Sequence, residues 1–257
     1  MAPTTTVAST TTTTTPPILG FGPAELQSAY AVDSSSSSSD TIAVVEAGGA
    51  PSAESDLSVY RSHFGLPECS TASKCLQIVD ESGGSSQPPP DDVWALETAA
   101  DLDMASAICP GCHLLLVRAN TETLRDLAIA NNTAASLGAA VINDSWAWDD
   151  GSDPGTSDQT AYTHSHAVTV AASGDYGYAT DSGHPEGIAE FPADSPNVVA
   201  VGATSLVRDS SARGWTETAF SKSGSGCSTE YAKPSWQVAV ACSSGRATAD
   251  IAAVADP

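Results

Sequence analysis

The chain has 257 residues and a formal net charge of −22, because 31 acidic residues face only nine lysines and arginines. This length allows one sizeable core, and the acidity excludes a basic surface for nucleic acid or anionic lipid. No apolar run approaches the roughly 18 residues of a membrane helix, and Met1 begins no recognisable export signal. We therefore expect a soluble monomer with one main domain and no nucleic-acid or membrane partner.

Threonine dominates residues 1–20, which include an unbroken run from Thr10 to Thr15. A segment of this composition cannot bury enough apolar surface to fold, so the sequence predicts a disordered tail. The domain is predicted to occupy residues 21–257. It is expected to begin with a short helix near Pro23, since proline is favoured in the first turn of a helix.

Buried strands and helices alternate from residue 41 onward. β-branched and apolar runs predict strands at 41–49, 76–79, 113–119, 139–146, 167–175 and 197–206. Helical spacing predicts helices at about 52–64, 94–104, 121–138 and 156–165. This order is typical of an α/β fold with one twisted parallel sheet and helices on both faces. From Thr216 onward the pattern weakens into loops rich in serine and glycine.

The second of these helices contains an acidic pair. Glu97 and Asp101 lie four residues apart on one helical face, where two carboxylates can share a proton. Acidic residues at this spacing usually form a solvated surface, so the pair alone does not establish a site. Glu46 ends a predicted strand, the position where open α/β sheets place their chemistry. A neighbouring apolar stripe is expected to dock the helix on the core; its members are Trp94, Ala100, Met104 and Ile108.

The six cysteines fall into three local pairs, which are Cys69 with Cys75, Cys109 with Cys112, and Cys227 with Cys242. This arrangement favours three disulfides and an oxidising, extracellular compartment, although the sequence alone permits other connectivities. The segment from Cys109 to His113 also matches the C-x-x-C-H pattern of haem attachment and contains a C-x-x-C redox spacing. A structural disulfide is the preferred interpretation, because no flanking context supports haem.

Seven motifs occur in a fixed order from residue 21 to the end of the chain: GFGPAELQSAY, TIAVVEAGG, WALETAADLDM, NDSW, ASGDYGY, FPADSPNVVAVGATSL and DIAAVADP. Each motif is weak alone, but their order and spacing closely resemble the sedolisin family of serine-carboxyl peptidases. The resemblance implies a subtilisin-like α/β fold. It also implies hydrolysis of protein and peptide substrates at acidic pH.

The resemblance assigns roles to individual residues. Glu97 would be the general base that takes the proton of a nucleophilic serine, and Asp101 would orient it. Asp175 would sit in the oxyanion hole, where a carboxyl donates a hydrogen bond only while protonated. Glu46 and Trp146 resemble the residues that support the aspartate of the triad. A carboxylate base and a protonated oxyanion donor together favour an acidic optimum.

The resemblance also implies that parts of the family pattern lie beyond Pro257. The family's nucleophile follows the A-D-P motif in a G-T-S sequence, so this chain is expected to lack the nucleophile serine, to be incomplete at its C-terminus and to be inactive alone. Ser205, in the sequence GATS, is a poor substitute because the residues after it continue a strand. The family's calcium ligands would also follow Pro257, so no cofactor is expected in the chain as given. The alternative function is a non-catalytic pseudopeptidase that binds peptides or proteins.

Overall fold

A computed structural model describes residues 20–33, 39–149, 160–178 and 187–256. The predicted disordered tail lies outside these ranges except for Gly20. The helix expected at 156–165 lies partly outside them as well, and its described part contains only a 3₁₀ turn at Thr160–Tyr162.

The described residues contain four α-helices and twelve strands. The helices are α1 (Pro23–Tyr30), α2 (Ala53–His63), α3 (Asp92–Ile108) and α4 (Leu124–Ser136). The first six strands are β1 (Thr41–Ala47), β2 (Leu76–Asp80), β3 (His113–Ala119), β4 (Val141–Asp144), β5 (Trp148–Asp149) and β6 (Val168–Ala172). The others are β7 (Glu190–Phe191), β8 (Val199–Arg208), β9 (Trp215–Ala219), β10 (Gly226–Ala232), β11 (Gly245–Thr248) and β12 (Ile251–Asp256).

A parallel sheet forms the centre of the molecule, with strand order β12-β8-β6-β4-β1-β3-β2. Strand β9 extends it by pairing antiparallel with the end of β8. Parallel neighbours require crossover connections, and helices supply several of them here. The predicted α/β class with one parallel sheet is therefore confirmed.

Helices cover both faces of this sheet, as predicted. Val44 and Leu116 point from β1 and β3 into a core with Leu57 of α2 and Leu102 of α3. The alternate strand residues, such as Val45, point to the opposite face and pack in the larger core that includes α4. Because successive strand residues point to opposite faces, two cores form on the same strands.

Helix α3 docks differently from the prediction. Ala100 is exposed and Met104 is 44% exposed, so these two members of the expected stripe do not face the core, whereas Trp94 is partly buried and packs against it. The buried positions are instead Thr98, Leu102, Ser106 and Ala107. The prediction was wrong because it gave weight to large apolar side chains, whereas a helix that packs closely on a sheet buries small and hydroxyl residues at the same spacing.

The C-terminal part contains more regular structure than predicted. Four strands, β9 to β12, lie where mostly loops were expected, and β10 pairs antiparallel with β11. The prediction missed them because they are short and rich in serine, threonine and alanine, without clear apolar alternation. The last strand, β12, completes the edge of the parallel sheet beside β8.

All three predicted disulfides are present, joining Cys69 to Cys75, Cys109 to Cys112, and Cys227 to Cys242. Because both sulfurs of the C-x-x-C-H segment lie in a disulfide, neither thiol is available for haem attachment. A structural role is therefore the one that the geometry supports.

One part of the sheet is left uncovered on the α3 side, and we call it the open sheet face. The parallel register aligns its members on the face that also holds Val44; they are Val168, Val170, Val199, Val201 and Ile251. Val168 is 50% exposed and Ile251 is 57% exposed. On the opposite face Ala171 and Ala200 are buried. The described residues thus cover only one side of the sheet here.

Helix α1 anchors the outer end of β8. Leu206 and Trp215 are buried in a small core with Ala29 of α1, and the ring of Phe21 meets that of Trp215 edge to face at 5.3 Å. The next residue, Val207, points outward and is 56% exposed. These two neighbours on β8 allow a direct test of the anchor.

We expect Leu206→Ala to lower the free energy of unfolding by about 2–5 kcal/mol, because it leaves a cavity under α1. Val207→Ala, one residue further on the same strand, should change it by less than about 0.5 kcal/mol. Urea unfolding of the two variants measures both values. Equal losses would show that α1 does not pack on β8 in solution.

Candidate active site

The candidate site begins where β1 ends and α3 starts. The chain between them folds back, so that the amide of Asp91 donates to the carbonyl of Gly49 at 3.1 Å. A Cβ on Gly49 would overlap the carbonyl oxygen of Pro88, so this close approach requires glycine. The Asp91 carboxylate then caps α3 by accepting from the amides of Val93 and Trp94. The end of β1 is thereby fixed to the first turn of α3.

Asp101 is held by two residues at the carboxyl end of β4. Nδ2 of Asn143 donates to Oδ2 of Asp101 at 2.7 Å, and Oγ of Ser145 donates to Oδ1 at 2.9 Å. Burial raises the pKa of Asp101, while hydrogen bonds from Glu46, Ser145 and Asn143 oppose the rise. These contacts fix the orientation of the carboxyl group. Sequence analysis assigned no role to Asn143 or Ser145, although their place after a buried strand was a signal.

Glu46 lies beneath Asp101 and is fully buried. Burial is the main reason that its pKa lies well above the usual range. The charge of Asp101 and a hydrogen bond with it raise the pKa further, and the charges of Glu97 and Asp144 add smaller amounts. As a carboxylate it would have no donor for either oxygen among the described residues. As an acid it would have a hydrogen to donate to Asp101, and the raised pKa of Glu46 favours that form.

Glu97 lies one helical turn before Asp101 on the same face of α3. Burial, with the charges of Asp101 and Asp175, raises the pKa of Glu97 to about 7. The negative charges of Asp101 and Asp175 therefore both act on Glu97. The structure brings these three predicted residues into one electrostatic cluster, although they come from distant parts of the sequence.

Asp175 is exposed in the turn that follows β6. The preceding Gly174 has φ of +104°, and a Cβ there would overlap the Glu190 carboxyl group. The amide of Gly224 donates to the carbonyl of Gly174 at 2.6 Å, and Oγ of Ser173 donates to the carbonyl of Gly224 at 2.6 Å. A side chain on Gly224 would overlap Ser173, so the turn before Asp175 is clamped by backbone contacts.

A cavity of about 280 Å³ lies beside Asp175. It is lined by the aromatic side chains of Trp146, Trp148 and Tyr176, together with the carboxyl group of Glu190. The structure places Trp146 at this cavity, with its ring 6.0 Å from that of Tyr162, and does not pair its indole N–H with any described residue. No sequence motif points to Trp148 or Glu190, because tertiary contacts alone bring them to the site.

A second depression, of about 210 Å³, runs from Asp175 along the open sheet face. Ser145 and Asp175 lie at one end, and Val170, Val201 and Ala253 form part of its floor. We call it the open groove. It connects the polar cluster of α3 with an apolar surface of the sheet.

Ser205 lies inside β8, and its hydrogen bond is to a residue outside the carboxyl cluster. Its Oγ donates to Oδ2 of Asp256 at 2.5 Å, across the β8–β12 pair. The hydroxyl of Ser145 is engaged with Asp101, and that of Ser173 with Gly224. None of these three hydroxyls donates to Glu97.

The buried acids Glu46 and Asp101 lie near the C-terminal ends of parallel strands, close to the exposed Asp175 and a cavity. This arrangement is suited to proton transfer and substrate binding. The family model described as the subtilase family matches residues 93–255, well over half of the chain. The chain belongs to the subtilase family. The match includes Glu97, Asp101 and Asp175 but not Glu46.

Within the subtilases, the chain is similar to sedolisin of Pseudomonas sp. (strain 101), with 27% identity over 254 residues. That match covers 88% of this chain and 43% of sedolisin, so the chain spans less than half the length of this curated relative. The resemblance to sedolisins that the motifs indicated is thereby confirmed.

Comparison with solved structures supports the same relationship. Pseudomonas sedolisin, a serine-carboxyl proteinase complexed with two molecules of pseudo-iodotyrostatin, aligns with a TM-score of 0.74 and 26% identity. The alignment covers 91% of this chain and 70% of that chain. A lanthipeptide protease aligns with a TM-score of 0.52 at 15% identity over 79% of this chain and 58% of its own, which supports the fold alone. The predicted subtilisin-like fold is confirmed.

The described ranges contain no group of three or more His, Cys, Asp or Glu side chains that could hold a metal ion. The residues described here therefore do not fit the calcium site implied by the sedolisin resemblance. In the same part of the chain, no helix is long and apolar enough to cross a membrane.

The buried carboxyl groups predict a strong dependence of stability on pH. Burial raises the pKa of Asp144 to about 8 and, with Asp101 and Asp175, that of Glu97 to about 7, from ordinary values of 3.8 and 4.5. The folded subtilase chain therefore binds more protons than the unfolded chain between about pH 4.5 and pH 8. Stability is present at low pH and is lost as the pH rises through this range.

Each fully buried carboxyl group of this kind should lower the free energy of unfolding by up to about 1.4 kcal/mol per pH unit. Urea unfolding at several pH values across the range measures the slope. A free energy of unfolding that stayed constant or increased from about pH 4.5 to pH 8 would contradict the assigned protonation of Glu97 and Asp144.

Proposed function

We propose that this chain forms the acid–base side of a serine-carboxyl peptidase site of the sedolisin type, which hydrolyses peptide bonds in proteins at acidic pH. The observation that supports it most is that Ser145, which donates to Asp101 one helical turn from Glu97, lines the same two depressions as Asp175. A base, a group that orients the base and a group that stabilises an oxyanion are the three functions that a serine nucleophile needs around it.

Each carboxyl group has one role in this proposal. Glu97 accepts the proton of the serine hydroxyl as the serine attacks the substrate carbonyl. Asp101, held by Asn143 and Ser145, orients Glu97. Asp175, on its clamped turn, donates a hydrogen bond to the oxyanion of the tetrahedral intermediate. Glu97 later returns the proton to the leaving amine.

The nucleophile is a serine that does not belong to the described residues. We place it on a helix that docks in the open groove, since that groove has an apolar floor and ends beside Ser145 and Asp175. Such a helix would bury the exposed parts of Val168 and Ile251. It would also bring its serine between Glu97 and Asp175, where the geometry requires it.

The same docking explains how Glu97 can act as a base in acid. A general base must be ionised, yet the pKa of Glu97 in the chain as described is raised to about 7. A serine hydroxyl that donates to Glu97 stabilises the carboxylate and lowers this pKa. Activity falls at low pH, where Glu97 is protonated and can no longer accept the serine proton.

Substrate class and compartment complete the proposal. The aromatic cavity beside Asp175 is suited to a side chain of a protein or peptide substrate. The three disulfides favour a protein that folds in an oxidising compartment and works outside the cell. We keep the prediction that the protein is a monomer.

We expect residues 1–257 alone to show no measurable cleavage of casein in acid, because Ser145, Ser173 and Ser205 all donate to groups other than Glu97 in the structure. The product of the same reading frame, continued past the codon for Pro257, should cleave it. In that product Glu97→Gln and Asp175→Ala should each lower kcat by about 100-fold or more. Steady-state kinetics with a peptide substrate measures these losses.

Asp103→Asn is the matched control on the same helix. Asp103 faces Asp56 of α2 rather than the site, so its replacement should change kcat less than about twofold. Cleavage by residues 1–257 alone would contradict the proposal and place the nucleophile within this chain; Ser145→Ala would then test the serine nearest to Asp101. Binding of unfolded casein without cleavage by the longer product would instead favour the pseudopeptidase.

A further inference from the structure

A second buried acid lies on the other side of the sheet from the proposed site. Asp144 is completely buried and points into the core shared with α4, away from Asp101. Its register partner is Ala171, and most residues around this position are alanine or larger apolar residues. Burying a charge in such a place without a cation is very unfavourable.

Its direct polar partner is Asn131 of α4, which is also fully buried. Nδ2 of Asn131 donates to Oδ1 of Asp144 at 3.0 Å, and it reaches the carbonyl of Leu127 at 3.4 Å. Both hydrogens of the amide nitrogen are therefore used, which fixes the orientation of the amide.

Two oxygens are left over in this pair. Oδ2 of Asp144 and Oδ1 of Asn131 have no hydrogen-bond partner among the described residues. Both are acceptors when Asp144 is ionised, so they cannot bond to each other. A single proton on Asp144 removes the problem, because the acid O–H can then donate to the amide oxygen.

We propose that Asp144 is held as the neutral acid and forms a two-bond acid–amide pair with Asn131 that positions the end of β4. One bond runs from the amide nitrogen to Oδ1, as described, and the second runs from the protonated Oδ2 to the amide oxygen. The pair joins α4 to β4 at the position where β4 also meets α3.

The consequence for the site follows from strand geometry. Asn143 and Ser145 point to the α3 face and hold Asp101, whereas Asp144 between them points to Asn131. Fixing Asp144 therefore fixes the backbone that carries both donors to Asp101. Asp144 touches neither Asp101 nor the substrate cavity, so it is a positioning residue; this consequence rests on the proposed function, but the acid–amide pair does not.

The charged groups around Asp144 all favour the neutral form. Burial is the main reason that its pKa is raised, to about 8, and Asp101 across the sheet adds to the rise while Asn131 opposes it. Glu46 of β1 is the other acid coupled to Asp144. When the pH rises above the Asp144 pKa of about 8, the acid ionises and its Oδ2 no longer carries a proton. The bond to the amide oxygen is then lost and the pair breaks.

Asp144→Asn tests the pair because an amide at this position makes the same two bonds without a titratable proton. The full chain and the variant are compared by thermal unfolding at about pH 4.5 and about pH 9, on either side of the Asp144 pKa. We expect equal Tm at the lower pH, and at the higher pH a Tm for Asp144→Asn that is higher by about 5 °C or more. Asp144→Ala should lower Tm at the lower pH by a similar amount, since it leaves a cavity and an unpaired amide.

Asp92→Asn, at an exposed position on α3, is the control and should change Tm little at either pH. A second readout is the carboxyl carbon signal of Asp144 in labelled protein, identified by its loss in Asp144→Asn. It should titrate above pH 7, well apart from exposed aspartates. The proposal is overturned if this signal titrates with the exposed aspartates, or if Asp144→Asn loses as much stability in acid as Asp144→Ala. Neither readout requires peptidase activity, so these outcomes are independent of the proposed function.

Discussion

The structure depends on buried carboxyl groups that lie close enough to repel one another, and no described basic side chain pairs with them. Glu46, Glu97, Asp101 and Asp144 come from β1, α3 and β4, and the charges that act on Glu46 are those of the other three acids. Coulomb repulsion in a low dielectric would expel such a cluster if every member were ionised. Protons must therefore hold it together, so the fold and the chemistry of the site share one requirement for acid. A histidine-based site would have no such requirement.

The rest of the fold positions this cluster by backbone contacts more than by side-chain packing. The loop over Gly49 fixes the start of α3, and the approach of Gly224 to Ser173 fixes the turn before Asp175. Both contacts allow no side chain at the glycine. Rigid backbone supports of this kind keep catalytic groups in place at little entropic cost, because few rotamers have to be ordered. The open groove between the two supports is a side of the site that the described residues leave uncovered.

The family and the fold could be predicted because they depend on patterns that extend along the chain. The apolar runs of β1 and β3 and the spacing of the motifs are local properties, and the parallel sheet follows from their order. The position of Glu97 and Asp101 one turn apart on α3 could be predicted for the same reason, since a helix of known period fixes their relation. The apolar stripe through Ala100 and Met104 was wrong because the packing partner decides which face of a helix is buried, and that partner is distant in sequence.

What the sequence determined by itself was the alternation of elements, the acidic pair on α3, the grouping of the cysteines into three local pairs and the relation to sedolisins. The tertiary structure decided which residues surround that pair: Asn143 and Ser145 on Asp101, Glu190 over Gly174, and Asn131 behind Asp144. These contacts join residues that are many positions apart, and no local periodicity encodes them. It also decided the protonation of the acids, because burial is a property of the folded chain and sets the energy of each charge.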